Sequence, residues 1–477
     1  MTALVLVLLI AGMLRFYNIN WDEGLHLHPD ERYVAFLATL IQPVWTAEEY
    51  FDSGKSALNP FNTDWGSRYV YGTLPLFGPR YVAEFLDNGC GPAPNRVIRR
   101  LNMAVFGDEL STCPKGTMVG FDRINLVGRA WSAVMDLLSI ATLYLIAKRL
   151  FNWRVGILAA SLSALAVLQI QQAHFFTVDA TANLFVNLCL LFCVNMVMAA
   201  RGTREGPPRP RMPRLAVNGL LAGVMAGCAV ASKISAWPLV PMILLAAGIH
   251  LARDRRPAWR GFYSAALAVV LAGLGAFAAF RVAQPYSFVG ASSAEFRLTL
   301  QRCLASSAGD DLIGRVCELA LSLPEPVRVV VAPSARWLEN LALASVFVNG
   351  TIDVPFGHQW ANRAPVTFPL VNLVFWGLGI ALGVAALVGI AYALRRILKG
   401  RRVWAYALPV IWVTAYFLYQ GTQYTKSMRY LLPIYPMLCL LAALALDRIP
   451  RLGRVNLRAP ITALTVGLTL LLSLIHI

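Results

Sequence analysis

The chain has 477 residues, 57% hydrophobic and only 14% charged, where a soluble protein carries nearer a quarter charged residues. Its net charge of +17 would suit nucleic acid, but five short loops between apolar runs hold 21 of the 42 basic residues and three acids, which accounts for the whole excess. That is the positive-inside pattern of a membrane protein, so composition excludes an ordinary soluble enzyme and requires no nucleic-acid partner.

Apolar runs of the length needed to cross a bilayer predict an all-α polytopic membrane protein. About eleven transmembrane helices are expected, at 1–15, 124–147, 155–172, 180–200, 215–231, 235–251, 262–282, 367–392, 403–419, 430–446 and 459–476. Met1–Leu14 lacks a basic lead-in and a small-residue cleavage site, and reads as an uncleaved first span. With the N-terminus inside, every basic loop falls inside. Two long extracytoplasmic loops then remain, 16–123 and 283–366. The expected organisation is a transmembrane module over 1–282 with its first outer loop, the second outer loop over 283–366, and C-terminal helices over 367–477.

The first outer loop opens with His28-Pro29-Asp30-Glu31-Arg32-Tyr33. Tyr33, Phe36, Leu37, Leu40 and Ile41 predict one apolar stripe of a helix that Pro29 starts and Pro43 stops. Asp30 and Glu31 then lie in the first turn, where the plain structural reading is that they complement the helix dipole. Asp22-Glu23, upstream, is a competing acidic pair, but only Asp30-Glu31 precedes the amphipathic helix. Tyr69-Val70-Tyr71-Gly72-Thr73-Leu74-Pro75 marks an ordered part of the same loop. Cys90 with Cys113, and Cys303 with Cys317, can each pair if the outer side is oxidising; Cys189, Cys193, Cys228 and Cys439 read as core residues.

Further along, ionisable residues gather at the expected outer boundary. His174 and Asp179 flank a short outer turn, Lys233 lies between two spans, Arg281 ends a span, and Arg429-Tyr430 begins another. Singly, cations at span ends snorkel to the interface. Arg129 and Asp136, seven residues apart, read as a buried structural pair. No Walker, Rossmann or zinc-cluster pattern is present, so energy for chemistry must come from an activated substrate or a gradient.

Such a boundary suits a sugar carried on a polyprenyl phosphate. Its phosphate sits at headgroup level, where Lys233, Arg281, Arg429 and Tyr430 can bind it and stabilise it as a leaving group. A carboxylate can accept the proton of the attacking acceptor, with Asp30 and Asp179 as base and helper. A divalent metal stays open, held by Asp30, His174 and Asp179. One displacement without a covalent intermediate inverts the anomeric centre.

The segment Pro29-Asp30-Glu31-Arg32-Tyr33-Val34-Ala35 resembles the first-outer-loop acidic motif of the GT-C glycosyltransferases. The nearest branch is the protein O-mannosyltransferase-like group (family 39), which includes the lipid A aminoarabinose transferases. Gly128-Arg129, Asp179, Lys233 and the late Arg429-Tyr430…Pro433 follow in the family's order. The resemblance covers about residues 1–250 well and the rest loosely. It implies a cell-membrane enzyme with a polyprenyl-phosphate sugar donor and an extracytoplasmic site, transferring to a protein, lipid or glycan. It makes Asp30 the catalytic acid residue, with Glu31 beside it and Asp179 as the second acid. Acceptor recognition is expected from the outer loops, with His358 and Trp360 in Phe356–Arg363 as the candidates.

The main alternative is a transporter or flippase of lipid-linked saccharides. Transporters place polar residues near the midplane in related repeats, whereas here they crowd one boundary without an evident repeat. A noncatalytic scaffold is a third reading, which leaves the ordered acids and cations unexplained.

Overall fold

The computed structural model describes residues 2–107, 113–199, 212–254, 257–288, 324, 327, 330–352, 354–400, 403–449 and 457–476. Among them the α-helices are, in chain order, Thr2–Phe16 (α1), Pro29–Leu40 (α2), Ala47–Phe51 (α3), Leu74–Leu86 (α4), Arg96–Phe106 (α5) and Phe121–Leu150 (α6). Trp153–Ala164 (α7), Val167–Ala173 (α8), Asp179–Met198 (α9), Met212–Ser232 (α10), Leu239–Arg253 (α11) and Ala258–Ala283 (α12) come next. Ala335–Asn349 (α13), Thr367–Asn372 (α14), Ile380–Leu398 (α15), Val403–Gly421 (α16), Tyr435–Asp447 (α17) and Arg458–His476 (α18) complete the series. No strand occurs among the described residues, only an isolated bridge between Phe288 and Pro333.

The all-α membrane class holds. Among the described residues all eleven expected segments fall in helices, and eight of these are long and apolar enough to cross a membrane, or nine if the α7–α8 pair, bent by 60°, is one span. The other two are α1, with 15 residues, and α16, whose Trp404, Tyr406, Trp412, Tyr416 and Tyr419 lower its hydropathy. By length and composition alone, eight or nine spans are thus supported among the described residues, and α1 and α16 are helical where the remaining two were expected.

The chain divides into two compact units. The first comprises Met1–Trp21, Arg129–Ala279 and Trp360–Ile477. Within it α17 is enclosed on all sides, with every residue from Tyr435 to Leu446 buried, as a helix apolar all round must be. It packs on α7 and α15, while α9 packs on α10 and α11. Lipid offers no hydrophobic drive between helices, so small residues that let backbones touch do the holding. Gly219, Gly223 and Gly227 of α10 lie against the carbonyls of Ala268, Ala272 and Ala276 of α12; a Cβ at Gly223 would fall 1.9 Å from the Ala272 oxygen.

The bend between α7 and α8 leaves carbonyls without helical partners, which hydrocarbon does not tolerate. Arg15 supplies them. Its Nη1 donates to Ala164 O at 2.9 Å and its Nη2 to Ser163 O at 3.3 Å, and Ser473 Oγ donates to Leu165 O. The guanidinium is itself neutralised by Asp136, with Nε 2.7 Å from Oδ2. This corrects the expected Arg129–Asp136 pair. Seven helical residues are about 10 Å of rise, too far for contact. Arg129 instead donates to Ile19 O at 2.9 Å and lies 5.2 Å from the Trp21 ring.

The second unit comprises Asp22–Gly128 and Phe280–Gln359, so segments of both expected outer loops fold as one body. Thr73 N–H and Oγ1–H both reach Gln284 Oε1, at 2.6 and 2.7 Å. Ser56 and Tyr286 share a hydroxyl contact of 2.7 Å, and Asn340 Nδ2 donates to Ser67 O at 3.0 Å and to Tyr69 O. Cys90 and Cys113 form a disulfide, closing a loop of 23 residues. Closure of a loop that long stabilises the fold by about 3 kcal/mol in the chain-entropy account. Cys303 and Cys317 lie outside the described residues.

Candidate active site

In the second unit, α2 starts at Pro29 as predicted. Its cap is His28, whose Nδ1 accepts the Glu31 N–H at 3.2 Å. Sequence reasoning missed that role because caps are usually Ser, Thr, Asp or Asn. The buried face also differs from the predicted stripe. It runs Glu31, Val34, Ala35 and Ala38, with Leu37 and Ile41, while Tyr33 and Phe36 are half-buried and Leu40 is exposed. Tyr33 and Phe36 are drawn to the rim by aromatic neighbours: Phe36 meets Trp65 edge-on at 5.5 Å, and Tyr33 lies 6.4 Å from Tyr69 and 6.3 Å from Tyr71. The shift turns Glu31 fully inward and leaves Asp30 half-buried. Burial pushes the Tyr33 hydroxyl up to about 12, so it stays protonated at neutral pH, with its proton on Trp65 O at 3.2 Å.

The competing acid Asp22 is buried in its own turn, its two oxygens accepting the Gly24 and Leu27 N–H groups at 3.4 Å. Arg281, expected to bind phosphate, has its guanidinium carbon 4.9 Å from both the Phe51 and the Phe288 rings, and its Nη1 donates to Pro285 O. His358, expected to meet the acceptor, is exposed in the 3-10 turn Pro355–Trp360. Trp360, at the end of that turn, is half-buried and opens the last segment of the first unit.

In the first unit, Asp179 is the first residue of α9, where a carboxylate complements the helix dipole. Lys233 follows the last residue of α10 in extended conformation, with φ −153°. Its Nζ reaches Asp179 Oδ1 at 2.6 Å, and Asp179 is only 4% exposed. The same ammonium lies 4.4 Å from the Tyr430 ring, and the Arg429 guanidinium carbon lies 5.5 Å from it. Lys233 thus joins Asp179 to the Tyr430 ring, and Arg429 lies against the same ring. An ammonium carries three N–H donors, so its contact with Asp179 leaves donors for an anion.

Lys426, which sequence reasoning missed, is buried in the same unit, with Nζ 3.1 Å from Tyr424 O. Burial lowers its pKa. Its spacing, three residues before Arg429, was the available signal.

His174 is placed differently from expectation. Its Nδ1 lies 2.8 Å from Ile170 O and its Nε2 3.0 Å from Tyr17 O. Both ring nitrogens therefore lie at hydrogen-bond distance from backbone carbonyl oxygens. Asp179 is engaged with Lys233. Among the described residues no group of three or more His, Cys, Asp or Glu side chains is placed to hold a metal ion.

Residues 118–279 match the family described as dolichyl-phosphate-mannose-protein mannosyltransferase. The whole chain also superposes on the apo crystal structure of the oligosaccharyltransferase of Archaeoglobus fulgidus, with a TM-score of 0.54 at 16% identity, covering 100% of this chain and 55% of that one.

It has a GT-C-like fold.

The oligosaccharyltransferase AglB from Archaeoglobus fulgidus, in complex with an inhibitory peptide and a dolichol-phosphate, matches this chain with a TM-score of 0.53 at 15% identity over 99% of this chain and 55% of that one. ArnT from Cupriavidus metallidurans bound to undecaprenyl phosphate gives 0.49 at 17% identity over 94% and 60%. This chain therefore spans little more than half the length of the oligosaccharyltransferase structures it matches. No curated protein matches it in sequence.

Proposed function

We propose that this chain is a membrane glycosyltransferase that moves a sugar from a polyprenyl-phosphate carrier to a protein, lipid or glycan acceptor on the extracytoplasmic side. The observation that carries the reading is the pairing of Lys233 with the buried Asp179, with Lys233 and Arg429 both beside the Tyr430 ring, in a chain of GT-C-like fold. A cation held at a span end by a buried carboxylate, with a second beside the neighbouring ring, suits the phosphate of a carrier whose tail lies in the bilayer.

Asp30 accepts the proton from the acceptor's O–H or N–H as that atom attacks the anomeric carbon. The bond from that carbon to the phosphate oxygen breaks, and the polyprenyl phosphate leaves with the electron pair. Lys233 and Arg429 stabilise the charge that grows on the leaving oxygens. Asp179 is a positioning residue, acting through Lys233, and Glu31 holds the first turn that carries Asp30. The half-buried Tyr33 and Tyr71 offer ring faces to the sugar. Arg281 is a further cation for the donor, and His358 and Trp360 meet the acceptor. A single displacement inverts the anomeric centre.

The test uses full-length protein in lipid nanodiscs with radiolabelled polyprenyl-phosphate sugars and membrane acceptors. Label leaves the carrier with the wild type and stays on it with Asp30→Asn. Equal release by both proteins overturns the reading.

A further inference from the structure

The C-terminal turns of α6 and α9 and the first turn of α16 border a half-open cavity of about 480 Å³ in the first unit, with Lys148 and Arg149 exposed at its rim. It lies far from Asp179. Asp179 and Met198 are the two ends of α9, and a helix of 20 residues is roughly 30 Å long. The cavity walls are of two kinds. Lys148 and Arg149 bring two cations, and Leu145, Phe151, Met198 and Trp404 bring apolar surface.

No carboxylate lines the cavity. Among the described residues neither Lys148 nor Arg149 forms an ion pair; the Lys148 ammonium lies 5.8 Å from the Tyr144 ring instead. The apolar wall is braced from behind. The Arg253 guanidinium sits 4.2 Å from the Trp404 ring while its Nη1 donates to Val197 O at 2.8 Å, and Phe151 rests 5.4 Å from Tyr406.

Two adjacent cations beside a braced apolar wall, at the ends of membrane spans, match an anion that carries hydrocarbon. A small soluble anion uses only the cations, and a neutral lipid uses only the wall. Lys148 and Arg149 belong to the basic loops, which the positive-inside rule assigns to the cytoplasmic leaflet, and basic pockets between spans there hold anionic headgroups.

We propose that this cavity binds an anionic glycerophospholipid of the cytoplasmic leaflet, with its phosphodiester on Lys148 and Arg149 and its glycerol and upper acyl chain against Trp404 and Met198. The lipid ties the ends of α6, α9 and α16 together and takes no part in the transfer chemistry.

The test is native mass spectrometry of the full-length protein released from nanodiscs of equal parts phosphatidylcholine and phosphatidylglycerol. The variants are Lys148→Gln/Arg149→Gln, the same-charge variant Trp404→Leu, and the control Arg214→Gln/Lys399→Gln. The control removes two exposed loop cations outside the cavity. The wild type and the control retain phosphatidylglycerol, while the cavity double variant holds it about thirtyfold more weakly, the loss of two cations near the surface. Trp404→Leu also weakens retention. In thermal melts, phosphatidylglycerol raises the Tm of the wild type and control but not of the cavity double variant.

Equal retention by all four proteins overturns the proposal, as does an equal loss in the control. Displacement of the lipid by inorganic phosphate as readily as by phosphatidylglycerol overturns it too, because the site then reads only a free anion.

Discussion

Lys233 Nζ stands 2.6 Å from Asp179 Oδ1, and its other side faces the Tyr430 ring at 4.4 Å. Lys233→Met removes the cation and leaves a charged Asp179 almost wholly buried. Breaking one side of a buried pair costs roughly 3–5 kcal/mol, and the partial exposure of Lys233 places this case toward the lower figure. Asp179→Asn in the same background removes the stranded charge. Thermal melts of the four proteins should therefore show the double variant more stable than Lys233→Met alone. Under the proposed function, transfer stays lost in the double variant. Melts that add without coupling exclude the pair as a structural unit.

The two acids of the first turn of α2 should separate in their effects. Asp30 is half-buried, so Asp30→Asn keeps its shape and abolishes sugar release with little change in Tm. Glu31 is fully buried, and its neutral isostere Glu31→Gln alters the packed face of α2. It should lower both activity and Tm. Activity and melting temperature measured on the same preparations check this, and a Tm fall for Asp30→Asn as large as for Glu31→Gln contradicts it.

These residues show what the sequence makes legible. The bilayer demands long apolar helices, so the spans could be read from composition. The topology that follows also placed Cys90 and Cys113 on one side. The proline at the start of α2 was legible because ring geometry acts locally. Partnerships across the chain were not. Asp179 and Lys233 lie 54 residues apart, and Arg15 and Asp136 lie 121 apart. Nothing in local periodicity connects them. The inward turn of Glu31 was hidden as well, because Tyr33 and Phe36 are apolar enough to look like core yet serve at the rim. His174 looked like a ligand by type and place, while the carbonyls that occupy it come from Ile170 and from the distant Tyr17.

Arg15 ties three features together: the carbonyls of the α7–α8 bend, the carboxylate of Asp136, and through it Gln169, whose Nε2 lies 3.4 Å from Asp136 Oδ1. Arg15→Met strands a buried carboxylate and takes the side-chain donor from the Ala164 carbonyl at the bend. It should cost roughly 3–5 kcal/mol, seen as a large fall in Tm. Arg129→Met leaves this network untouched, so Arg15→Met combined with Asp136→Asn should be milder than Arg15→Met alone, while Arg129→Met with Asp136→Asn should show no such relief. Relief in the second pair instead restores the partnership expected from the sequence.

The glycines of α10 and α12 allow one substitution to be tried in two surroundings. At Gly223, a new Cβ lies 1.9 Å from the Ala272 carbonyl oxygen, a backbone atom that cannot swing aside. Gly223→Ala therefore forces the two helices apart. Overpacking of this kind costs typically 1–3 kcal/mol, and lost contact along Gly219 and Gly227 adds to it. At Gly273 on α12, a new Cβ meets nothing within 4 Å. There alanine only restricts the unfolded chain and improves helix propensity, a gain of roughly 0.5–1 kcal/mol. The same chemical change should thus lower Tm at Gly223 and hold or raise it at Gly273. Since both helices are apolar, a difference in membrane insertion cannot produce opposite signs; only the close backbone approach can. Matching shifts at the two positions refute that approach.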